Sequence, residues 1–163
     1  MGEHFIKSGE WNVHQGPAVI RTDLGSCVAL CLWDFTARLG GMNHYLLPGS
    51  PEELNMDARR GYVANRQLLD AMLRRGAQRE HLRAALIGGG SRLENDDVFG
   101  IGDSNVRVGL ELLSQYNIPV CYRRTGGAVG RHVCMDIDSR ELRIREITMG
   151  TSVVKELVGT LLG

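Results

Sequence analysis

Residues 27–33, Cys-Val-Ala-Leu-Cys-Leu-Trp, are apolar without interruption. A run this short, entered through Gly25-Ser26 and left at Asp34, reads as a strand buried on both faces. A second strand-like run, Leu39 to Leu47, closes at Pro48-Gly49, so the two predict a hairpin around Asp34-Phe-Thr-Ala-Arg38. A register that sets Cys27 opposite His44 puts Cys31 opposite Gly40. It also centres the turn between Phe35 and Thr36, which agrees with the hairpin.

Around this pair the chain reads as one mixed unit over residues 1–163, with no linker, fixed-period repeat or low-complexity segment. Val13 to Thr22 is an early strand interrupted near Gly16-Pro17, and Glu52 to Asp57 is polar loop. Arg60 to Arg75 is the clearest helix, with Tyr62, Val63, Leu69, Met72 and Leu73 at three- and four-residue steps and Gly76 as its stop. Leu82 to Ile87 is a strand ending in three glycines. Asp103 to Tyr116 is a second helix with Val106, Leu110 and Leu113 on its core face, and Ile118 to Tyr122 is a strand. Val133 to Ile137 and Leu142 to Ile147 alternate about Asp138-Ser-Arg140, another hairpin signal. Ser152 to Leu162 is expected to form a short C-terminal helix. Strands outnumber helices and the hairpins are local, so the fold class is α+β, with the two helices on one face of the sheets.

Composition narrows the function classes. Nineteen Lys and Arg balance nineteen Asp and Glu. That argues against a general nucleic-acid binder and against long-range steering to anionic surfaces. No apolar run reaches the length of a membrane span, and residues 1–10 do not read as a signal peptide. The expectation is a cytoplasmic protein without membrane insertion. The four cysteines, Cys27, Cys31, Cys121 and Cys134, contain no Cys-x-x-Cys pair, and no metal site or cofactor is expected. Cys31, Cys121 and Cys134 read as core, and His4, His14 and His81 as solvated. Neither Gly88-Gly-Gly90 nor Gly100-Ile-Gly102 completes a phosphate or dinucleotide motif. Arg131, after Gly126-Gly127-x-x-Gly130, reads as a solvated arginine.

Two residues carry potential chemistry. Cys27 opens a buried strand directly after a glycine turn, where a nucleophile is held rigidly. There the N–H groups of Ser26 and Cys27 are free to face a developing oxyanion. A cysteine in this place is equally what packing alone would select. His44 lies within an apolar strand and needs a partner for a ring nitrogen. In the register above it approaches Cys27, and a thiol with a pKa of about 8.5 needs such a base at neutral pH. A hydrogen-bonded core histidine is the other reading. Thr22, at the end of the preceding strand, could orient the histidine or a substrate.

An ordered set of segments resembles the chemoreceptor glutamine deamidase family of bacterial chemotaxis, CheD. The segments are Leu24-Gly-Ser-Cys-Val28, Gly40-Gly-Met-Asn-His-Tyr-Leu-Leu-Pro48, Arg75-Gly-Ala77, Ile87-Gly-Gly-Gly90, Ile101-Gly102 with Asn105-Val106, Asn117-Ile-Pro-Val120, and Thr125-Gly-Gly127 with Gly130-Arg131. The resemblance covers roughly residues 13–147. The resemblance implies an α/β/β layered fold and a cysteine hydrolase that converts receptor glutamine side chains to glutamate through a thioester. Cys27 matches the nucleophile, His44 the general base and Thr22 the third catalytic position, with Gly25 and Ser26 at the oxyanion. It implies as partners the cytoplasmic helical bundle of a methyl-accepting chemotaxis receptor and the phosphatase CheC. A receptor methylesterase, or a non-catalytic CheC partner, are the alternatives. The chain departs from the family pattern at Gly90, where alanine is usual, and at Ser104, where arginine is usual.

Overall fold

The computed structural model describes residues 2–52, 56–91 and 100–161. In chain order the strands are β1 (Gly2–Phe5), β2 (Trp11–Gln15), β3 (Ala18–Leu24), β4 (Val28–Asp34) and β5 (Leu39–Asn43). Helix α1 (Gly61–Arg74) and a 3-10 turn (Arg79–His81) lead to β6 (Arg83–Gly88). Then come α2 (Ile101–Gln115), β7 (Val120–Thr125), β8 (Val129–Asp136), β9 (Glu141–Thr148) and β10 (Val154–Thr160). One sheet has the order β1-β3-β8-β9-β10 and the other β2-β5-β4-β6-β7.

The apolar run becomes β4, buried at all seven positions, because it is the central strand of the second sheet. Its alternate side chains feed two cores. Val28, Leu30 and Leu32 face α1 and α2, packing with Leu68, Met72 and Leu113. Ala29, Cys31 and Trp33 face the other sheet, packing with Ile20, Met135 and Leu142. The layers are therefore helices, sheet, sheet, as the resemblance implies. Only a strand in the middle layer loses water on both faces, which is why this run carries no alternation.

The β4–β5 hairpin forms, but two residues out of the predicted register. Cys31 faces Met42 and Asp34 faces Leu39, so Cys27 is not opposite His44. The turn is tighter than expected. Arg38 adopts φ 58°, and the buried Asp34 carboxylate accepts the N–H groups of Ala37 and Gln78, which stabilises a four-residue connection. The early strand is two strands in different sheets, and the chain crosses between them at the cis Gly16-Pro17 bond.

The expected C-terminal helix is instead strand β10, paired antiparallel with β9 at the edge of its sheet. Val153, Val154, Val158 and Thr160 are β-branched, and Leu157 is turned inward between outward Glu156 and Val158. A period of two thus outweighs the helical spacing. Leu162 lies outside the described residues, as do residues 53–55 of the polar loop. Cys121 is exposed, not core, because β7 is an edge strand, and Cys134 is only partly buried. His4 and His14 are not free in solvent: their rings stack at 3.7 Å. Among the described residues no helix is long and apolar enough to cross a membrane.

Candidate active site

The candidate residues meet where the two sheets face each other at one end. The chain leaves the first sheet at Leu24, turns through Gly25-Ser26-Cys27, and enters the second sheet at Val28. Cys27 is half-buried against the inter-sheet core. Every carbonyl of this turn is held. Gly90 N–H donates to Gly25 O at 2.9 Å, the Asn105 amide to Ser26 O at 3.1 Å, and Gly89 N–H to Cys27 O at 2.9 Å. Among the described residues, no backbone carbonyl accepts the N–H groups of Ser26 or Cys27. A turn fixed through its acceptors, with no backbone carbonyl on these two donors among the described residues, is what an oxyanion needs.

The glycines after β6 make this possible. Gly88 sits beside Val28 at φ 119°, and a Cβ there would lie 2.1 Å from Cys27 O. Gly90 leaves no more room: a Cβ would come within 2.5 Å of Val129 O. The three-glycine segment is a close-packed backing for the nucleophile turn.

His44 reaches the same place by leaving its ladder. Strand β5 stops at Asn43, whose side-chain oxygen accepts Leu30 N–H in place of a backbone carbonyl. His44 bonds instead to the N-terminal segment, donating its N–H to Glu10 O and accepting from Gly9 N–H. The next residue, Tyr45, forms a two-bond bridge with Val28. Cys27 and His44 are therefore diagonal neighbours across that bridge, a relation that spaces Cα atoms by about 7–8 Å and side chains less. The two-residue shift in register preserves the shared face, so both residues still lie on the inter-sheet side.

Thr22 completes the set from the opposite sheet. It is 1% exposed, and its Oγ1 lies 2.6 Å from His44 Nδ1 and 2.8 Å from Ile6 O. These two bonds fix the imidazole. A carbonyl can only accept, so the single hydroxyl hydrogen goes to Ile6 O. Thr22 must then accept from Nδ1–H. The Nε2 of His44 is left with a free lone pair, the form a general base requires. Burial lowers the His44 pKa to about 4, with Asp23 and Glu10 opposing. Burial raises the Cys27 thiol, and its own backbone N–H opposes. At neutral pH the resting site is a neutral thiol beside a neutral imidazole.

The remaining cysteines stand apart. Cys31 is fully buried, with its thiol pushed up to about 12 by desolvation. Arg131, expected in solvent, is 5% exposed and ion-paired with Glu146, because β8 turns it into the inter-sheet space. Asn105, at the start of α2, was legible only as part of the family pattern. It is fully buried and ties Ser26 O to Leu46 O, the turn to the segment after His44. Nothing in its neighbours signalled this. The carbonyl of Ile6 carries no side-chain signature at all.

A cysteine on a rigid turn, an imidazole of fixed tautomer and turn N–H groups bonded to no backbone carbonyl are groups of the kind a cysteine hydrolase uses. Residues 46–146 match the family model described as CheD chemotactic sensory transduction. The chain is 42% identical over 144 residues to the probable chemoreceptor glutamine deamidase CheD 1 of Anaeromyxobacter dehalogenans, covering 88% of this chain and 84% of that one. It is 36% identical over 135 residues to the probable chemoreceptor glutamine deamidase CheD of Trichlorobacter lovleyi (82% and 84%). It is 35% identical over 165 residues to its counterpart in Geobacter sulfurreducens (94% and 82%). The chain belongs to the CheD family. Among solved structures, the hypothetical protein YfiH of Bacillus licheniformis aligns with a TM-score of 0.49 and 14% identity over 71% of this chain and 49% of that one, a likeness too distant to bear on function.

Proposed function

We propose that this protein is a cytoplasmic cysteine hydrolase that deamidates glutamine side chains on the helical bundle of methyl-accepting chemotaxis receptors. The observation that carries it is the Ile6–Thr22–His44 hydrogen-bond chain, which leaves Nε2 of His44 as a base on the face shared with Cys27. Family membership supplies the substrate class.

His44 Nε2 takes the thiol proton as Cys27 Sγ attacks the carboxamide carbon of a receptor glutamine. The N–H groups of Ser26 and Cys27 receive the oxyanion at the Gly25 turn. The imidazolium returns its proton to the departing nitrogen, the C–N bond breaks, and ammonia leaves a thioester. Water, deprotonated by His44, attacks that thioester. The C–S bond breaks, Cys27 recovers its proton, and glutamate remains. Thr22 holds the ring throughout and stabilises the charged imidazolium by accepting from Nδ1–H.

Cys27→Ala tests this. A receptor cytoplasmic fragment incubated with the unmutated protein should gain the glutamine-to-glutamate mass difference at defined sites, and none with the variant. Equal conversion by the variant would remove Cys27 from the role. No conversion on any of several receptors by a demonstrably folded protein would favour a binding role, with CheC the partner to assay. Release of methanol from a receptor methyl ester in place of ammonia would mark a methylesterase.

A further inference from the structure

The inner face of the first sheet carries no charge in its rows until the end nearest the nucleophile. One row is Ile20, Met135 and Leu142; the next is Thr22, Val133 and Ile144. The last row is Leu24, Arg131 and Glu146, and both charged residues are 5% exposed. A buried ion pair adds little net stability compared with apolar packing, so its presence here calls for another reason.

Its bonds supply one. Arg131 Nε donates to Glu146 Oε2 at 2.8 Å. Its two other nitrogens cross the gap between sheets: Nη1 donates to Gly88 O at 3.1 Å and Nη2 to Gly126 O at 2.7 Å. Gly126 N–H also donates to Gly88 O, so the two carbonyls belong to one fixed corner. Arg124 of β7 crosses in the opposite direction, from the second sheet to the first, donating twice to Glu146 at 2.8 and 2.9 Å. The row thus ties the two sheets together at the level where the Gly25-Ser26-Cys27 turn spans them. Arg131 faces Leu24, the last residue before that turn. Gly88 faces Val28, the first residue after it.

The candidate site depends on this spacing. Thr22 belongs to the first sheet, His44 follows a strand of the second, and Cys27 lies on the link. We propose that Arg131, anchored by Glu146 and Arg124, is a positioning residue for the hydrolase reaction. It sets the separation of the sheets at the nucleophile turn, and so the placement of Cys27 against His44 and the free N–H donors. Lysine cannot replace it, because a single ammonium lacks the planar fork that meets a carboxylate and two carbonyls at once. The inference rests on the reading of Cys27 as the nucleophile.

The test compares the unmutated protein with Arg131→Lys and Arg124→Gln. Three quantities are measured: receptor deamidation, thermal midpoint, and the pH dependence of Cys27 alkylation by iodoacetamide, followed on the Cys27 peptide by mass spectrometry. Displacements of an ångström at such a site cost on the order of 100-fold in rate, so a folded Arg131→Lys should lose at least about ten-fold in kcat with KM within about two-fold. Its Cys27 alkylation at neutral pH should fall and its profile move to higher pH. Arg124→Gln keeps every Arg131 contact and removes a half-exposed anchor, so it should fold and shift both readouts in the same direction by less. A purely structural role would lower the melting midpoint and leave kcat and the alkylation profile of the folded protein unchanged, and that result in Arg124→Gln or a folded Arg131→Lys overturns the proposal. Should the unmutated protein deamidate nothing, the deamidase reading fails by itself, and the alkylation profiles still decide the role of Arg131.

Discussion

The orientation of the His44 ring depends on Thr22, which bonds its Nδ1 and Ile6 O. Replacing Thr22 with valine keeps the shape but leaves Ile6 O and His44 Nδ1 without their partner and frees the ring to take the other tautomer. Loss of tautomer control costs up to about 10⁴-fold in Ser-His-Asp triads, so Thr22→Val should lower kcat by at least about 100-fold, while Thr22→Ser stays within about ten-fold. Steady-state deamidation kinetics of both variants check this. The pKa of His44 yields a second expectation. It is depressed in the fold, from 6.5 to about 4. The imidazole stays neutral until pH approaches 4. The unfolded chain binds a proton that the folded one refuses between these values. Its contribution to stability is therefore complete above pH 6.5 and is lost as pH falls toward 4. Urea unfolding should show a loss of about 2 kcal/mol between pH 7 and pH 5 that His44→Gln largely removes. The same residue marks a limit of the sequence. That His44 needs a partner could be read from its apolar neighbours. That the partner acts through the carbonyl of Ile6 could not, because a backbone oxygen has no identity in a sequence.

Among the elements, the segment after β6 bears most directly on the site. A methyl group on Gly88 would meet Cys27 O at 2.1 Å in a backbone conformation at φ 119°. Gly88→Ala should therefore displace the turn, costing about 1–3 kcal/mol in backbone strain and a larger share of activity than of fold. Thermal unfolding and deamidation rate, measured together, separate the two effects. Paired glycines at the end of an apolar run announced a tight approach, but not what approached. The hairpin from β4 to β5 was legible because an unbroken apolar run and a polar turn can pair in few ways. Its register was not, since Asp34 accepts Ala37 N–H within the turn and Gln78 N–H from outside the hairpin, and the second of these has no local signal. In β10 the helical spacing of valines and leucines misled because an edge position beside β9, unknown to local sequence, decides the outcome.

For the molecule as a whole, the layer order follows from β4 alone, whose two faces both needed cover. The charged row did not follow from anything local. Arg131 after a glycine reads as a surface residue, and Glu146 sits in an alternating strand where one face is polar. Only the stacking of the sheets turns both inward and makes them partners. Residues that act across layers are the class least visible in a sequence.

The strand order also sets a timetable. Cys27, His44 and Thr22 are all made early, yet β3 lies between β1 and β8, and β8 is synthesised roughly a hundred residues after the nucleophile turn. A growing chain on the ribosome carries its thiol before it has the neighbouring strands that complete the first sheet. Completion of the sheet that carries Thr22 thus waits until β8 has been made and can pair with β3.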